Sequence, residues 1–174
     1  GTGSSSLQDA IEMSKHAANH KVRAVLLQPP FYYKNISEEG IINYYRHIIE
    51  KVGDNNFQYL LYHIPQYTYV PISFKVIEIL LKLYPDNVVG LKDSSGDHER
   101  MLKIVKYFGN FDVFCGDDSL ALSVYKRGGA GAITAGTNVC GKLLSFIIKN
   151  YKRESEIKNF DEMLNLLKQI RKVI

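Results

Sequence analysis

The sequence has no tryptophan, only two cysteines and five prolines, and no continuous apolar run of about 18 residues. Without such a run, no transmembrane helix is expected, and no stretch has the pattern of a secretory signal. Two cysteines in 174 residues exclude a disulfide-rich scaffold and favour the reducing cytoplasm. Excess charge of one sign is also lacking, because 22 basic and 18 acidic residues leave a net charge of +4. Nothing in this charge predicts binding to nucleic acid.

What the chain does have is a set of short apolar runs, each followed by turn or polar residues. With 45% hydrophobic and 23% charged residues, the composition is that of an ordinary globular protein. Runs that are nearly continuous in apolar character predict strands buried on both faces of a parallel sheet. The five runs are Ala24–Leu27, Tyr59–Tyr62, Val88–Leu91, Val113–Cys115 and Ala130–Ile133.

Amphipathic helical patterns alternate with these runs. Ser5 or Ser6, Ser37 and Asp97 stand where helix N-caps are expected. The alternation of strands and helices is the βαβ rhythm of a parallel α/β fold. It suits either an open doubly wound sheet or a barrel, which needs eight strands. The predicted helical segments are 7–19, 38–49, 74–84, 97–108, 120–125, 143–148 and 157–170.

Ligands of parallel α/β folds meet residues at the carboxyl ends of strands, so these positions are the candidate functional residues. Tyr62 ends the second run and can either transfer a proton or fill the core with its hydroxyl satisfied. His63 can be a base or a satisfied polar neighbour. Lys92 directly follows the third run. Burial of the Lys92 side chain would favour its neutral amine, which can attack a ketone and form an imine. The alternatives are that its amine reaches solvent or forms an ion pair with Asp93.

The remaining polar motifs favour structural roles. Asp117 and Asp118 can bind a metal or cap the next helix, and the cap is favoured because no third ligand has a convincing spacing. Cys115 is interpreted as a small buried hydrophobe. The glycines of 128–131 match neither a P-loop nor a dinucleotide fingerprint, and they suit a tight turn into a strand. His16 and His20 lack a third zinc ligand.

Taken together, the strand ends resemble the pyruvate-dependent class I aldolases of the dihydrodipicolinate synthase and N-acetylneuraminate lyase type. No single motif is decisive, but their order and spacing match that family from the start of the chain to about Val139. The matching segments are Gly1–Ser4, Leu27–Tyr33, Tyr62–Pro65, Gly90–Asp97, Gly116–Asp118 and Gly128–Ile133.

The resemblance implies a (β/α)8 TIM barrel of which this chain carries about five parallel strands, strands 4 to 8. On this interpretation residues 1–139 are the C-terminal part of the barrel, and residues 140–174 are an incomplete set of C-terminal helices. The family's first strands and its Thr-Thr-Gly carboxylate-binding turn are not in the sequence. We therefore expect the chain to be inactive alone. The family also implies a cytoplasmic homotetramer, a dimer of dimers.

The resemblance also assigns roles to individual residues. Lys92 would form a Schiff base with pyruvate or another 2-oxo acid, and Tyr62 would move protons. Ile133 would offer its backbone carbonyl to the bound ketoacid. No metal or organic cofactor is implied. The other implied contacts are Tyr67, Ser94, Gly116 and Asp118 with substrate, and Tyr32 or Tyr33 with the site of a neighbouring subunit.

Two positions depart from the family's main branches. Tyr67 stands where the synthase branch has an arginine for the carboxylate of the second substrate, and a phenol cannot replace a guanidinium there. Ala135 stands where the sialic-acid lyase branch has a serine. The predicted function is a Schiff-base lyase or synthase that condenses pyruvate with an aldehyde or cleaves a 2-oxo acid. The alternatives are an aldolase or dehydratase of 2-keto-3-deoxy sugar acids or of the N-acetylneuraminate type, a non-catalytic ketoacid-binding regulator, and a nucleotide-binding α/β domain.

Overall fold

A computed structural model describes residues 1–173. These residues form two compact units, the first ending at Ser95 and the second beginning at Gly96. The element order alternates helix and strand, as the sequence predicts. The strands are β1 (Ala24–Leu27), β2 (Gln58–His63), β3 (Val88–Asp93), β4 (Asp112–Cys115) and β5 (Gly131–Ala132). The helices are α1 (Leu7–Asn19), α2 (Glu38–Val52), α3 (Pro65–Thr68), α4 (Phe74–Leu83), α5 (His98–Tyr107), α6 (Asp118–Lys126), α7 (Thr137–Asn150) and α8 (Phe160–Arg171), with a 3-10 helix at Tyr151–Glu156.

Side-chain caps begin most of the longer helices, because the first backbone N–H groups of a helix have no partner inside it. The hydroxyl of Ser6 accepts from the N–H of Asp9, and the hydroxyl of Ser37 accepts from the N–H of Gly40. The Asp97 carboxylate does the same for α5 through the N–H of Arg100. These three predicted caps are therefore confirmed.

In the first unit the three strands are parallel and lie in the order β1-β2-β3. The backbone N–H of Thr2 donates to the carbonyl of Leu26 at 3.0 Å, so the start of the chain lies along the other edge of β1. Helix α2 packs on the sheet, where the hydroxyl of Tyr45 donates to the carbonyl of Leu27 at 3.3 Å. The core of this unit lies between the sheet and its helices.

Burial alternates along these strands, which corrects the prediction that they are buried on both faces. In β2 the side chains of Tyr59, Leu61 and His63 are buried, whereas those of Leu60 and Tyr62 are only half-buried. Successive side chains of a strand point to opposite faces, and only one face here lies against helices. The half-buried face carries the candidate catalytic residues.

The second unit contains β4 and β5, which are also parallel, and helices α5 to α8. Strand β5 has only two residues, fewer than the predicted run of 130–133. Helix α7 begins at Thr137, six residues before its predicted apolar stripe, and α8 begins at Phe160 after the 3-10 helix. The short helix α3 was not predicted at all. No helix within residues 1–173 is long and apolar enough to cross a membrane.

Candidate active site

Tyr62 and Lys92 lie opposite each other on the neighbouring strands β2 and β3. The ammonium of Lys92 donates to the hydroxyl of Tyr62 at 3.1 Å, and its Nζ lies 4.3 Å from the centroid of the tyrosine ring. Both side chains are half-buried on the face of the sheet that the helices leave uncovered. The two strand-end residues singled out in the sequence are therefore direct partners.

A β-bulge produces this alignment. Tyr59 pairs with Val88 but Leu60 pairs with Gly90, so Val89 is an extra residue in β3. Without it, the same pairing would place Leu91 opposite Tyr62 and would turn Lys92 to the other face. Bulges commonly re-aim a side chain beside a functional site. The sequence contains no periodicity that predicts this one.

Lys92 makes no ion pair within residues 1–173, so the alternative of a pair with Asp93 is not observed. Asp93 is fully buried, and its carboxylate accepts from the backbone N–H and the hydroxyl of Ser95 at 2.9 and 2.6 Å. Asp93, the residue next to Lys92 in the sequence, thus stabilises the turn after β3. The Nζ of Lys92 instead has the hydroxyl of Tyr62 as its hydrogen-bond partner.

His63 has a structural role. It is buried, and its Nδ1 accepts from the backbone N–H of Ile72 at 3.1 Å. An imidazole nitrogen that accepts a hydrogen bond carries no proton at that atom. Of the two alternatives for His63, the satisfied polar neighbour fits this geometry.

The turn after β3 is tied to the turn after β2. The backbone N–H of Ser94 donates to the carbonyl of His63 at 2.8 Å, and the amide of Gln66 donates to the carbonyl of Ser94 at 2.7 Å. Gln66 belongs to α3 and was not singled out in the sequence. Because Gln66 binds a backbone carbonyl, which every residue has, no sequence motif predicts this contact.

Four tyrosines on the loops after β1 and β2 are largely exposed. Tyr32 and Tyr33 contact each other edge to face, with their ring centroids 5.2 Å apart. Tyr67 lies on α3 with 74% of its surface exposed, and Tyr69 follows that helix. Neighbouring aromatic rings that are exposed together, such as Tyr32 and Tyr33, commonly mark contact with a ligand or another chain.

The second unit contains the other predicted contacts. Asp118 is only 3% exposed and accepts a short hydrogen bond from the hydroxyl of Thr134, while its Oδ2 has no partner within residues 1–173. Gly136 lies so close that a Cβ there would come within 2.6 Å of the carboxylate. The backbone N–H of Ile133 donates to the carbonyl of Cys115 at 3.0 Å. Gly116 is half-buried at the end of β4.

Asp117 caps α6, as predicted, through the backbone N–H of Ser119. Its carboxylate also forms an ion pair with Arg171 at 3.3 Å. Burial acts to raise the pKa of Asp117, but the hydrogen bonds from Ser119 and the contact with Arg171 outweigh it and lower the pKa. The predicted buried cysteine, Cys115, is fully buried.

The metal-binding side chains are dispersed. Within residues 1–173, no three of the His, Cys, Asp and Glu side chains come together as a metal site. The rings of His16 and His20 lie with their centroids 4.1 Å apart and their planes tilted by 34°, and no third metal ligand joins them within residues 1–173.

Comparison with known proteins first defines the class of fold. A solved structure of CdNal from Clostridium difficile, in complex with mannosamine, matches with a TM-score of 0.84 and 28% identity, over 97% of this chain and 56% of that chain. The five parallel strands and their helices therefore form part of a (β/α)8 barrel, as the resemblance implies.

The family follows from the sequence comparisons. The chain matches the dihydrodipicolinate synthetase family over residues 1–173, and it belongs to that family. It is 34% identical over 170 residues to a protein of Chloroflexus aurantiacus named "Uncharacterized DapA-like lyase", covering 98% of this chain and 56% of that protein. It is also 34% identical to 4-hydroxy-tetrahydrodipicolinate synthase of Bacillus subtilis, over 87% of this chain and 51% of that protein. The chain thus spans about half the length of the curated relatives it matches.

Proposed function

We propose that this chain carries the Schiff-base centre of a lyase or synthase that joins pyruvate to an aldehyde or cleaves the corresponding 2-oxo acid. The observation that carries the proposal is the 3.1 Å hydrogen bond between Lys92 and Tyr62. An amine that can act as nucleophile, held beside a hydroxyl that can transfer protons, is what imine chemistry needs. Membership of the family supports the same class of reaction.

The proposed steps balance without an external oxidant or reductant. The Lys92 amine attacks the ketone carbon of pyruvate, and the carbinolamine takes up a proton and loses water to give a protonated imine. The positively charged imine makes the neighbouring methyl group acidic, and loss of a proton gives an enamine. The enamine carbon then bonds to the aldehyde carbon, whose oxygen takes up a proton, and water hydrolyses the imine to release product and amine. Tyr62 is the proposed proton carrier in these steps.

The remaining site assignments extend this proposal. Ile133 would offer its carbonyl to the ketoacid, and Ser94, Gly116 and Asp118 would contribute further contacts. The near-complete burial of Asp118 and its bond to Thr134 favour an indirect contribution, through the loop of 133–136. The exposure of Tyr32 and Tyr33 supports a site shared between two copies of the protein in a homo-oligomer.

Reductive trapping tests the proposal. The full-length protein that contains this chain, which is also used for the other activity measurements below, is incubated with pyruvate and borohydride and then analysed by mass spectrometry. Borohydride would reduce the imine to a stable secondary amine. We expect one added 1-carboxyethyl group, located on Lys92, and none in Lys92→Met. Lys51→Met is the matched control, since Lys51 is an exposed lysine on α2. An unmodified protein, or an adduct that persists in Lys92→Met, would overturn the proposal.

The identity of the aldehyde is a separate question. Tyr67 supplies a phenol where a guanidinium is expected in the synthase branch, so this position offers no positive charge. Likeness to CdNal, whose solved structure holds mannosamine, keeps a sugar-derived substrate as the second candidate. Turnover of neutral polyhydroxylated aldehydes in preference to charged ones would favour that candidate.

A further inference from the structure

The ammonium of Lys34 is held by three groups, none of which carries a negative charge. It donates to the backbone carbonyl of Phe31 at 2.5 Å and to that of Thr68 at 3.3 Å, and its Nζ lies 5.3 Å from the centroid of the Tyr69 ring. Within residues 1–173, Lys34 makes no salt bridge, and its side chain is exposed. The positive charge is therefore positioned but not neutralised.

The aromatic residue beneath this charge adopts an unfavourable backbone conformation. Tyr69 has a φ of 56°, in the left-handed region, where its backbone N–H closes α3 by donating to the carbonyl of Pro65 at 2.8 Å. Glycine or asparagine normally occupies such a helix end, because a side chain there is strained. The ring is also 69% exposed, so little burial offsets the strain. Such outliers are concentrated at ligand-binding sites.

The contact with the Tyr69 ring accounts for a tyrosine at this position. A cation within about 6 Å of a ring centroid is attracted to the face of the ring. The two carbonyls and the ring together fix the ammonium above the end of α3. A lysine has three N–H donors, of which the carbonyls use two. The third remains available for an acceptor outside the protein.

The position of this charge relates it to the proposed reaction. Thr68, whose carbonyl binds Lys34, is the residue after Tyr67. Helix α3 begins three residues after Tyr62, and its four residues rise only about 6 Å. The ammonium therefore lies among the loops that follow the carboxyl ends of β1 and β2, at the edge of the sheet near which the Tyr62 and Lys92 side chains meet.

We propose that Lys34 binds an anionic group, a carboxylate or a phosphate, of the aldehyde that reacts with the enamine on Lys92. This inference rests on the proposed function and deepens it by naming the class of the second substrate. The charge comes from the loop after β1, while Tyr67 on α3 offers none. Lys34 takes no part in the covalent steps and acts only by binding.

Matched pairs of aldehydes test the inference. One pair is glyceraldehyde 3-phosphate and glyceraldehyde, and the other is succinic semialdehyde and butanal, so that the phosphate and the carboxylate are examined separately. For the preferred charged aldehyde, we expect Lys34→Met to lower kcat/KM about tenfold or more, mainly through KM, because a charge-assisted hydrogen bond is lost. The kcat/KM for the neutral aldehyde of the same pair should change less than about twofold in Lys34→Met. Lys51→Met should change the kcat/KM of neither aldehyde.

A rescue experiment separates binding of the anion from a structural role of Lys34. Adding Tyr67→Arg to Lys34→Met restores a positive charge one residue from Thr68, and we expect it to recover part of the lost kcat/KM for the charged aldehyde. Thermal unfolding of each variant shows whether it is folded, and Lys34→Gln replaces Lys34→Met if the latter is not. Equal losses for the charged and neutral members of a pair would overturn the inference.

Trapping with pyruvate distinguishes failure of this inference from failure of the proposed function. Lys34→Met should still form the borohydride-reduced adduct at Lys92, since pyruvate reacts before the aldehyde binds. If the unsubstituted protein forms the adduct but does not prefer charged aldehydes, the role of Lys34 is overturned and the Schiff-base function stays in place. Absence of the adduct from the unsubstituted protein would overturn both.

Discussion

The Nζ of Lys92 lies 3.1 Å from the hydroxyl of Tyr62, because a bulge at Val89 brings the two residues opposite each other. Each residue is the last but one of its strand, and each side chain lies on the half-buried face of the sheet. The arrangement brings an amine and a phenol hydroxyl together from parts of the chain that are 30 residues apart in sequence.

Replacing Tyr62 with phenylalanine keeps the aromatic ring beside Lys92 and removes only the hydroxyl. We expect the rate of adduct formation with pyruvate, followed by borohydride trapping, to fall about a hundredfold or more, as is usual when a general acid–base is removed. Tyr59→Phe is the control, because Tyr59 lies on the same strand with its hydroxyl buried on the opposite face. Equal rates in Tyr62→Phe and the unsubstituted protein would remove Tyr62 from the mechanism.

Replacing Gly136 with alanine should destabilise the protein. The added Cβ would lie 2.6 Å from both oxygens of the buried Asp118 carboxylate, so the loop must shift or the bond to Thr134 must break. We expect the free energy of unfolding, measured in denaturant, to fall by about 1–3 kcal/mol.

Gly141 provides the matched control, since it lies inside α7, five residues after Gly136 at the start of that helix. A Cβ at Gly141 would meet its nearest neighbour, the Cβ of Thr137, at an ordinary distance of 3.6 Å. Alanine is the better helix former, so Gly141→Ala should raise the stability by up to about 1 kcal/mol. A similar effect of both substitutions would show that the Asp118 contact does not limit position 136.

The lowered pKa of Asp117 predicts a loss of stability in acid. The folded state binds the proton less readily than the unfolded chain does, so stability rises with pH through the titration. The contribution of Asp117 is fully present above the ordinary carboxyl pKa of about 3.9, and it is lost as the pH falls through the lower value of the folded state. Asp117→Asn should therefore flatten the decline in stability below about pH 4.

Denaturant unfolding at a series of pH values measures this effect. Asp112→Asn serves as the control, because Asp112 is an exposed carboxylate at the start of β4. We expect the curve of Asp112→Asn to run parallel to that of the unsubstituted protein. Parallel curves for Asp117→Asn as well would mean that the contacts with Ser119 and Arg171 do not favour the ionised form.

Much of the local structure was predictable because it depends on neighbours in the sequence. Ser37 and Asp97 cap their helices through N–H groups three residues further on, so the signal lies within one turn. The apolar runs that end at Tyr62 and just before Lys92 predicted strands and indicated that candidate site residues lie at their carboxyl ends. Order and spacing of the strand-end motifs were enough to indicate the family to which the chain belongs.

Other features could not be read locally. A continuous apolar run such as Tyr59–Tyr62 does not show which of its side chains face helices, and the prediction of two buried faces was wrong for that reason. Gln66 and Lys34 act on carbonyls that are 28 and 34 residues away in the sequence, at Ser94 and Thr68. Neither belongs to a motif, because a backbone carbonyl is the same at every residue.

The sequence by itself determined the alternation of strands and helices, their caps, and the presence of a lysine and a tyrosine at strand ends, since these follow from spacing and local hydrogen bonding. Only the tertiary structure decided which residues meet. The pairing register of β2 and β3, shifted by the extra Val89, places Lys92 against Tyr62 rather than on the opposite face. Register depends on the packing of two distant segments, and a shift of one residue reverses the face to which every following side chain points.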